Sequence, residues 1–134
     1  MSQLVLDDQL DVQIILPALK PWISAVRLQG LRPGEHVLDD RIPEILRTLK
    51  TPTFVTIDHG FWDRRLCHGG YCILYFALFA DEQQRLPGLL RRLFRQTKFR
   101  TRAARMGKVA RVDEDVVTFW EAGKKNVLDL SEVD

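Results

Sequence analysis

Apolar residues recur along the chain with two different spacings, and the switches between them outline an alternation of strands and helices. Leu4-Val5-Leu6 is a short apolar run ending in Asp7-Asp8, the pattern of a buried strand with acids at its C-terminal end. Leu10, Ile14, Ile15, Leu16 and Leu19 then fall at helical spacing, predicting a helix that Pro17 kinks or shortens. Residues Trp22 to Leu28 read as a second strand, followed by a loop through Pro33-Gly34 to Val37. Asp39-Asp40 opens a second helix with the stripe Ile42, Ile45, Leu46 and Leu49, stopping near Lys50 ahead of Pro52. Thr53 to Ile57 is the third strand, with Asp58 at its end, and Tyr71 to Leu78 the fourth, apolar on both faces. A third helix runs from Asp81 to about Gln96, interrupted at Pro87-Gly88, and Thr101 to Met106 adds a further turn. Lys108 to Val112 and Asp115 to Trp120 form a closing hairpin, and the residues from Glu121 onward read as a polar tail.

This order implies an α/β domain: a mostly parallel central sheet of four to five strands, flanked by helices on both faces. The domain is expected over residues 1–122, with a C-terminal tail at 123–134. The chain has 134 residues, 46% of them hydrophobic, enough for one core. No apolar run approaches the roughly 20 residues of a membrane-spanning helix. The first residues lack the basic region of a secretory signal, so the expected compartment is the cytoplasm. Cys67 and Cys72 read as free thiols. Together with His59 and His68 they match none of the usual zinc-ligand spacings.

Charge changes the picture more than composition does. The net charge is only +2, yet Met1 to Asp63 carries nine acids against six bases, while Arg85 to Arg111 carries ten bases and no acid. One surface suited to cations and another suited to polyanions are therefore expected. Asp7 and Asp8 end the first strand, Asp39 and Asp40 open the second helix, and Asp58 ends the third strand. In a parallel sheet those places share the carboxyl edge, where ligands bind. Carboxylates gathered there repel one another, and a hard cation such as Mg²⁺ or Mn²⁺ resolves the repulsion. Taken singly, each of these acids is better explained as a helix cap or a loop residue, and it is their convergence on one edge that raises a metal site.

Leu4-Val5-Leu6-Asp7-Asp8, Asp39-Asp40-Arg41-Ile42-Pro43 and Phe54-Val55-Thr56-Ile57-Asp58-His59-Gly60-Phe61-Trp62 resemble the successive acidic motifs of PIN-like proteins. Gly70-Tyr71-Cys72-Ile73, Lys98-Phe99-Arg100-Thr101 and Arg105-Met106-Gly107-Lys108-Val109 are similar to a small bacterial branch of that family. The resemblance spans about residues 3 to 120 and implies a metal-dependent ribonuclease fold, many members of which are toxins held by an antitoxin. It implies Asp7 as the first metal ligand, Asp39 or Asp40 as the second and Asp58 as the third, with Mg²⁺ or Mn²⁺ as cofactor. Asp8 stands where Glu is frequent in the family. Asp63 is the nearest candidate for the usual fourth acid, since Gly60 stands where some relatives carry Asp.

Arg91, Arg92, Arg95, Lys98, Arg100, Arg102 and Arg105 are the candidate nucleic-acid or partner contacts, because guanidinium groups match phosphate geometry. Trp62, close to Asp58, is a candidate for stacking a base. The expected function is a Mg²⁺/Mn²⁺-dependent endoribonuclease, the toxin of a toxin–antitoxin pair, with RNA, a cognate antitoxin and a second copy of the chain as candidate partners. The alternative is a catalytically silent PIN-like module that binds nucleic acid or protein through its basic face. A hydrolase of small phosphate esters would use the same carboxylate edge.

Overall fold

A computed structural model of the protein describes residues 3–131. The elements are β1 (Leu4–Leu6), α1 (Val12–Leu19), β2 (Ala25–Arg27), α2 (Leu28–Leu31), α3 (Ile42–Arg47), β3 (Thr53–Thr56), β4 (Cys72–Phe76), α4 (Leu86–Leu93), α5 (Arg102–Arg105), β5 (Val109–Asp113), β6 (Val116–Glu121) and β7 (Lys124–Asp129). Short 3₁₀ turns stand at Asp39–Arg41, His59–Phe61, Arg64–Leu66 and Ala80–Arg85.

The strands form one seven-stranded sheet in the order β2-β1-β3-β4-β5-β6-β7. The five strands from β2 to β5 run parallel, and β6 and β7 are antiparallel additions. This corrects the expected sheet of four to five mostly parallel strands, because the C-terminal third builds a mixed sheet. The polar tail expected from residue 123 is largely β7. Ala122 and Gly123 both take positive φ, 51° and 77°, and make the two-residue turn that reverses the chain into it. That turn matches the twist of antiparallel strands and usually calls for Asn-Gly, so Ala-Gly hides it from a sequence reading. The domain therefore has no boundary at residue 122; residues 132–134 of the expected tail lie outside the described residues.

The expected flanking of both faces by helices is corrected as well, because helix coverage is unequal and loop residues complete one of the layers. Leu4, Leu6 and Leu74 pack beneath Ile15 and Leu19 of α1 and Leu86, Leu90 and Leu93 of α4. Val5, Phe54 and Ile73 point the other way, onto Ile42, Ile45 and Leu46 of the six-residue α3, with loop residues Phe61 and Tyr71 completing the layer. Alternate residues of β1, β3 and β4 thus serve opposite cores, so these strands are apolar throughout. Pro87 does not interrupt a long helix. It occupies the first turn of α4, where its missing N–H costs nothing, and a 3₁₀ turn precedes it.

Strand β1 lies between β2 and β3, so the chain leaves β1 toward one side of the sheet and returns past it on the other. The crevice at that reversal opens beyond the carboxyl ends of β1 and β3.

Candidate functional site

Asp7 immediately follows β1 and donates its backbone N–H to the Val55 carbonyl at 3.0 Å, which ties the first acid to β3. Its side chain is buried, 4% exposed. One carboxylate oxygen accepts the Thr56 hydroxyl at 2.6 Å, and that hydroxyl oxygen accepts the Asp58 backbone N–H at 2.9 Å. Thr56 therefore links the first and third acids, although its run of apolar neighbours marks it only as a strand residue. Burial pushes the Asp7 carboxyl above its ordinary value. The Thr56 hydrogen bond opposes that shift, while the charges of Asp39 and Asp58 reinforce it.

Asp58 caps the 3₁₀ turn at His59–Phe61 by accepting the Gly60 N–H at 2.9 Å. A Cβ at Gly60 would stand 3.3 Å from that same carboxylate oxygen, so glycine lets the turn close tightly on Asp58. Asp39 lies in its own 3₁₀ turn and is exposed. Its carboxyl is raised first by desolvation, then by the Asp58 charge and by a hydrogen bond with the Asp58 carboxyl. Asp7, Asp39 and Asp58 thus reach one neighbourhood from three separate segments.

Asp40 and Asp39 both line two adjoining hollows. The larger, about 610 Å³, also receives Asp7, Asp8 and His36. The smaller, about 390 Å³, receives Asp58, Gly60 and Asp63. Asp8 is partly committed elsewhere, since it accepts the Gln29 N–H at 2.9 Å and so holds the first turn after β2. Asp63 is held by Arg65, whose guanidinium binds it at 2.9 Å and keeps its carboxyl below the ordinary value. Each of the six candidate acids therefore borders one or both of these hollows, with Asp39 and Asp40 common to the two and Asp8 and Asp63 tethered locally. Their oxygen donors and mutual repulsion suit a hard divalent cation. Among the described residues, however, no three His, Cys, Asp or Glu side chains close on one point as a ready cage.

The thiols and imidazoles take other places. Cys72 is buried in β4, and burial pushes its thiol up to about 12. His68 stacks on Tyr71 and accepts the Gly70 N–H, and His59 stands edge-on to Tyr75. Trp62 packs against Trp120 with ring centroids 6.1 Å apart, so much of the ring is engaged by the fold. Beside the acids, Tyr75, Phe79 and Arg111 line a further hollow of about 380 Å³. Phe79 is 78% exposed there, a position that the apolar run of β4 disguises as core.

The basic run is dispersed by the fold. Arg92 pairs with Asp115 at 2.7 Å, and Lys98 with Glu121 at 3.4 Å. Arg91 lies over the Trp22 ring, and Arg100 donates to the Arg95 carbonyl at 2.8 Å. Arg102 donates to the Lys50 carbonyl at 2.8 Å. Arg105 is 1% exposed, donates to Gln3 Oε1 at 2.7 Å and lies over the Phe94 ring, so it offers nothing to a phosphate in the folded protein. Gln3 and Lys50 precede β1 and β3, which puts Arg102 and Arg105 at the amino edge of the sheet, across from the acids. The acids absent from residues 85–111 in sequence arrive from Asp113, Glu114, Asp115 and Glu121. Compared with family models, with curated proteins and with solved structures, the chain gives no match, so the PIN-like resemblance rests on the motifs quoted above.

Proposed function

We propose that the protein is a Mg²⁺- or Mn²⁺-dependent endoribonuclease of PIN-like kind, acting as the toxin of a toxin–antitoxin pair. The observation that carries this reading is the meeting of Asp7, Asp39 and Asp58 at the reversal point of the sheet, with burial and mutual charge raising two of their carboxyls. Asp7, Asp39 and Asp58 would hold the cation, with Asp8, Asp40 and Asp63 bordering it. When bound, the cation supplies an acidified water and offsets charge that builds on the phosphate. The chain's own groups supply the orientation. Thr56 fixes one oxygen of Asp7, and the Gly60 N–H fixes one oxygen of Asp58. Asp7 and Asp39, both raised above the ordinary carboxylate value, must lose their protons before they can act as ligands, which makes occupancy favour higher pH.

The silent binding module is the second reading, favoured by the absence of a closed three-ligand cage among the described residues. Cleavage of structured RNA in Mn²⁺ separates the two. The wild-type protein should cut, and Asp58→Asn should lose cutting by orders of magnitude while RNA affinity stays nearly unchanged. Asn keeps the acceptor oxygen for Gly60 and removes the charge. Binding without cleavage by wild type, across several substrates and both metals, would leave the silent module standing. Cleavage that survives in Asp58→Asn would expose a contaminating ribonuclease.

A further inference from the structure

The last strand ends the sheet, so its outer edge has no neighbouring strand among the described residues. Which residues offer their backbone to that edge follows from the pairing. Glu121 and Lys124 close the two-residue turn, and the Leu130 N–H bonds to the Asp115 carbonyl at 2.7 Å. Even-numbered residues of β7 therefore bond inward to β6, and by the alternation of an antiparallel ladder Lys125, Val127 and Asp129 direct N–H and C=O outward. The same three side chains share one face of the strand. Lys125 lies over Trp120 on that face, Val127 is 72% exposed, and Asp129 is exposed.

Lys-Val-Asp at alternate positions is self-complementary under a two-fold axis. With the axis through Val127 and perpendicular to the sheet, Val127 meets Val127 of the second copy, and Lys125 meets Asp129 on both sides. These pairs use the outward-directed backbone groups and keep each protomer's faces aligned. Moving the axis by one residue sets Lys125 opposite Val127, or Val127 opposite Asp129. Moving it by two sets Lys125 opposite Lys125, or Asp129 opposite Asp129. Only one register pairs every charge with its opposite, and like charges across a ladder are destabilising. An exposed β-branched residue on an edge is an invitation to pair, and the flanking charges select the partner.

We propose that β7 pairs antiparallel with β7 of a second copy of this chain about a two-fold axis at Val127, joining the two sheets into one. The interface is isologous, so it consumes the β7 edge of both copies and the assembly closes as a dimer. A six-residue edge falls below the roughly 1,000 Å² of a permanent interface, so the dimer forms in a concentration-dependent way. The acid cleft lies among segments 7–8, 39–40 and 58–63, away from β7, so both clefts stay open in the dimer.

Sedimentation velocity of the full chain over a concentration series tests this. Wild type should pass from monomer to dimer. Val127→Pro should remain monomeric with unchanged circular dichroism, because the N–H it removes points away from β6. Lys125→Asp should weaken association by about tenfold or more, since it sets Asp opposite Asp twice. Adding Asp129→Lys to that variant should restore association, which a merely folding-damaged strand would not do. Wild type that stays monomeric to millimolar concentration overturns the proposal, as do Lys125→Asp and the double swap that both associate like wild type.

Discussion

The acid cleft and the basic segment teach opposite lessons about charge. The basic residues are contiguous in sequence, yet the fold spreads them from α4 to the amino edge and supplies acids from the β5–β6 hairpin and the end of β6. The acids are scattered over more than fifty positions, yet Asp7, Asp39 and Asp58 gather closely enough that the charge of Asp58 helps raise the carboxyls of both Asp7 and Asp39. Charge density along a chain is therefore a poor guide to charge density on its surface. Paired charge near the surface contributes modestly to stability, whereas gathered like charge is held at a cost that a ligand can repay.

The largest effect that would sharpen this contrast is expected at Arg105. Its guanidinium is buried between Gln3, the Phe99 carbonyl and the Phe94 ring, so Arg105→Ala should destabilise the protein by about 3 kcal/mol in urea unfolding. A loss near zero would return Arg105 to the surface and restore the continuous basic face.

Glu121 comes next. It is the carboxylate partner of Lys108, whose side chain is 4% exposed. Glu121→Gln leaves that cation without its counter-charge and should cost about 2 kcal/mol, less than a fully buried pair because Glu121 keeps some solvent. The Lys108 hydrogen bond holds the Glu121 carboxyl below its ordinary value of 4.5. The contribution is present above 4.5 and is lost as pH falls through the lowered folded value, so wild type and Glu121→Gln should converge in acid.

Asp7→Asn should act with the opposite sign and a smaller size. Burial raises the Asp7 carboxyl above 3.8, so stability falls as pH rises from that value through the raised folded one, and the penalty is complete at neutral pH if the folded value lies below it. The amide should then raise the melting temperature at neutral pH by a few degrees, with the gain fading below 3.8. In Mn²⁺ wild type should gain stability and Asp7→Asn should not; a wild type indifferent to Mn²⁺ would remove the cation from the cleft.

The smallest structural effect belongs to charge reversal at Arg91, Arg92 and Arg95, expected to change stability by no more than about 1 kcal/mol, most of it from the Arg92–Asp115 pair. RNA binding should weaken, and the difference should shrink as salt rises. Equal binding by the triple variant at low salt would reduce this helix face to a solvated surface.

Much of the architecture is legible in the residues themselves. The apolar runs of β1, β3 and β4 and the stripe of α3 are local patterns whose physics acts within a few residues. The carboxyl edge follows as well, because a parallel strand and its crossover dictate where the next residues emerge. The acids at 7–8, 39–40 and 58 could be placed on one edge from connectivity alone, with the choice between Asp39 and Asp40 left open.

Tertiary structure decided what depends on distant partners. Thr56 joins two acids only because β3 lies beside β1. The burial of Arg105 depends on Gln3, on the far side of the chain in sequence. Strand β7 carries too few apolar residues to announce itself, and it forms because β6 offers an edge and Leu128 and Leu130 find the core. A sequence determines period and connectivity, because both are set by neighbouring bonds. Which charges are neutralised, and which edge is left open, is set by residues that only the closed chain brings within reach.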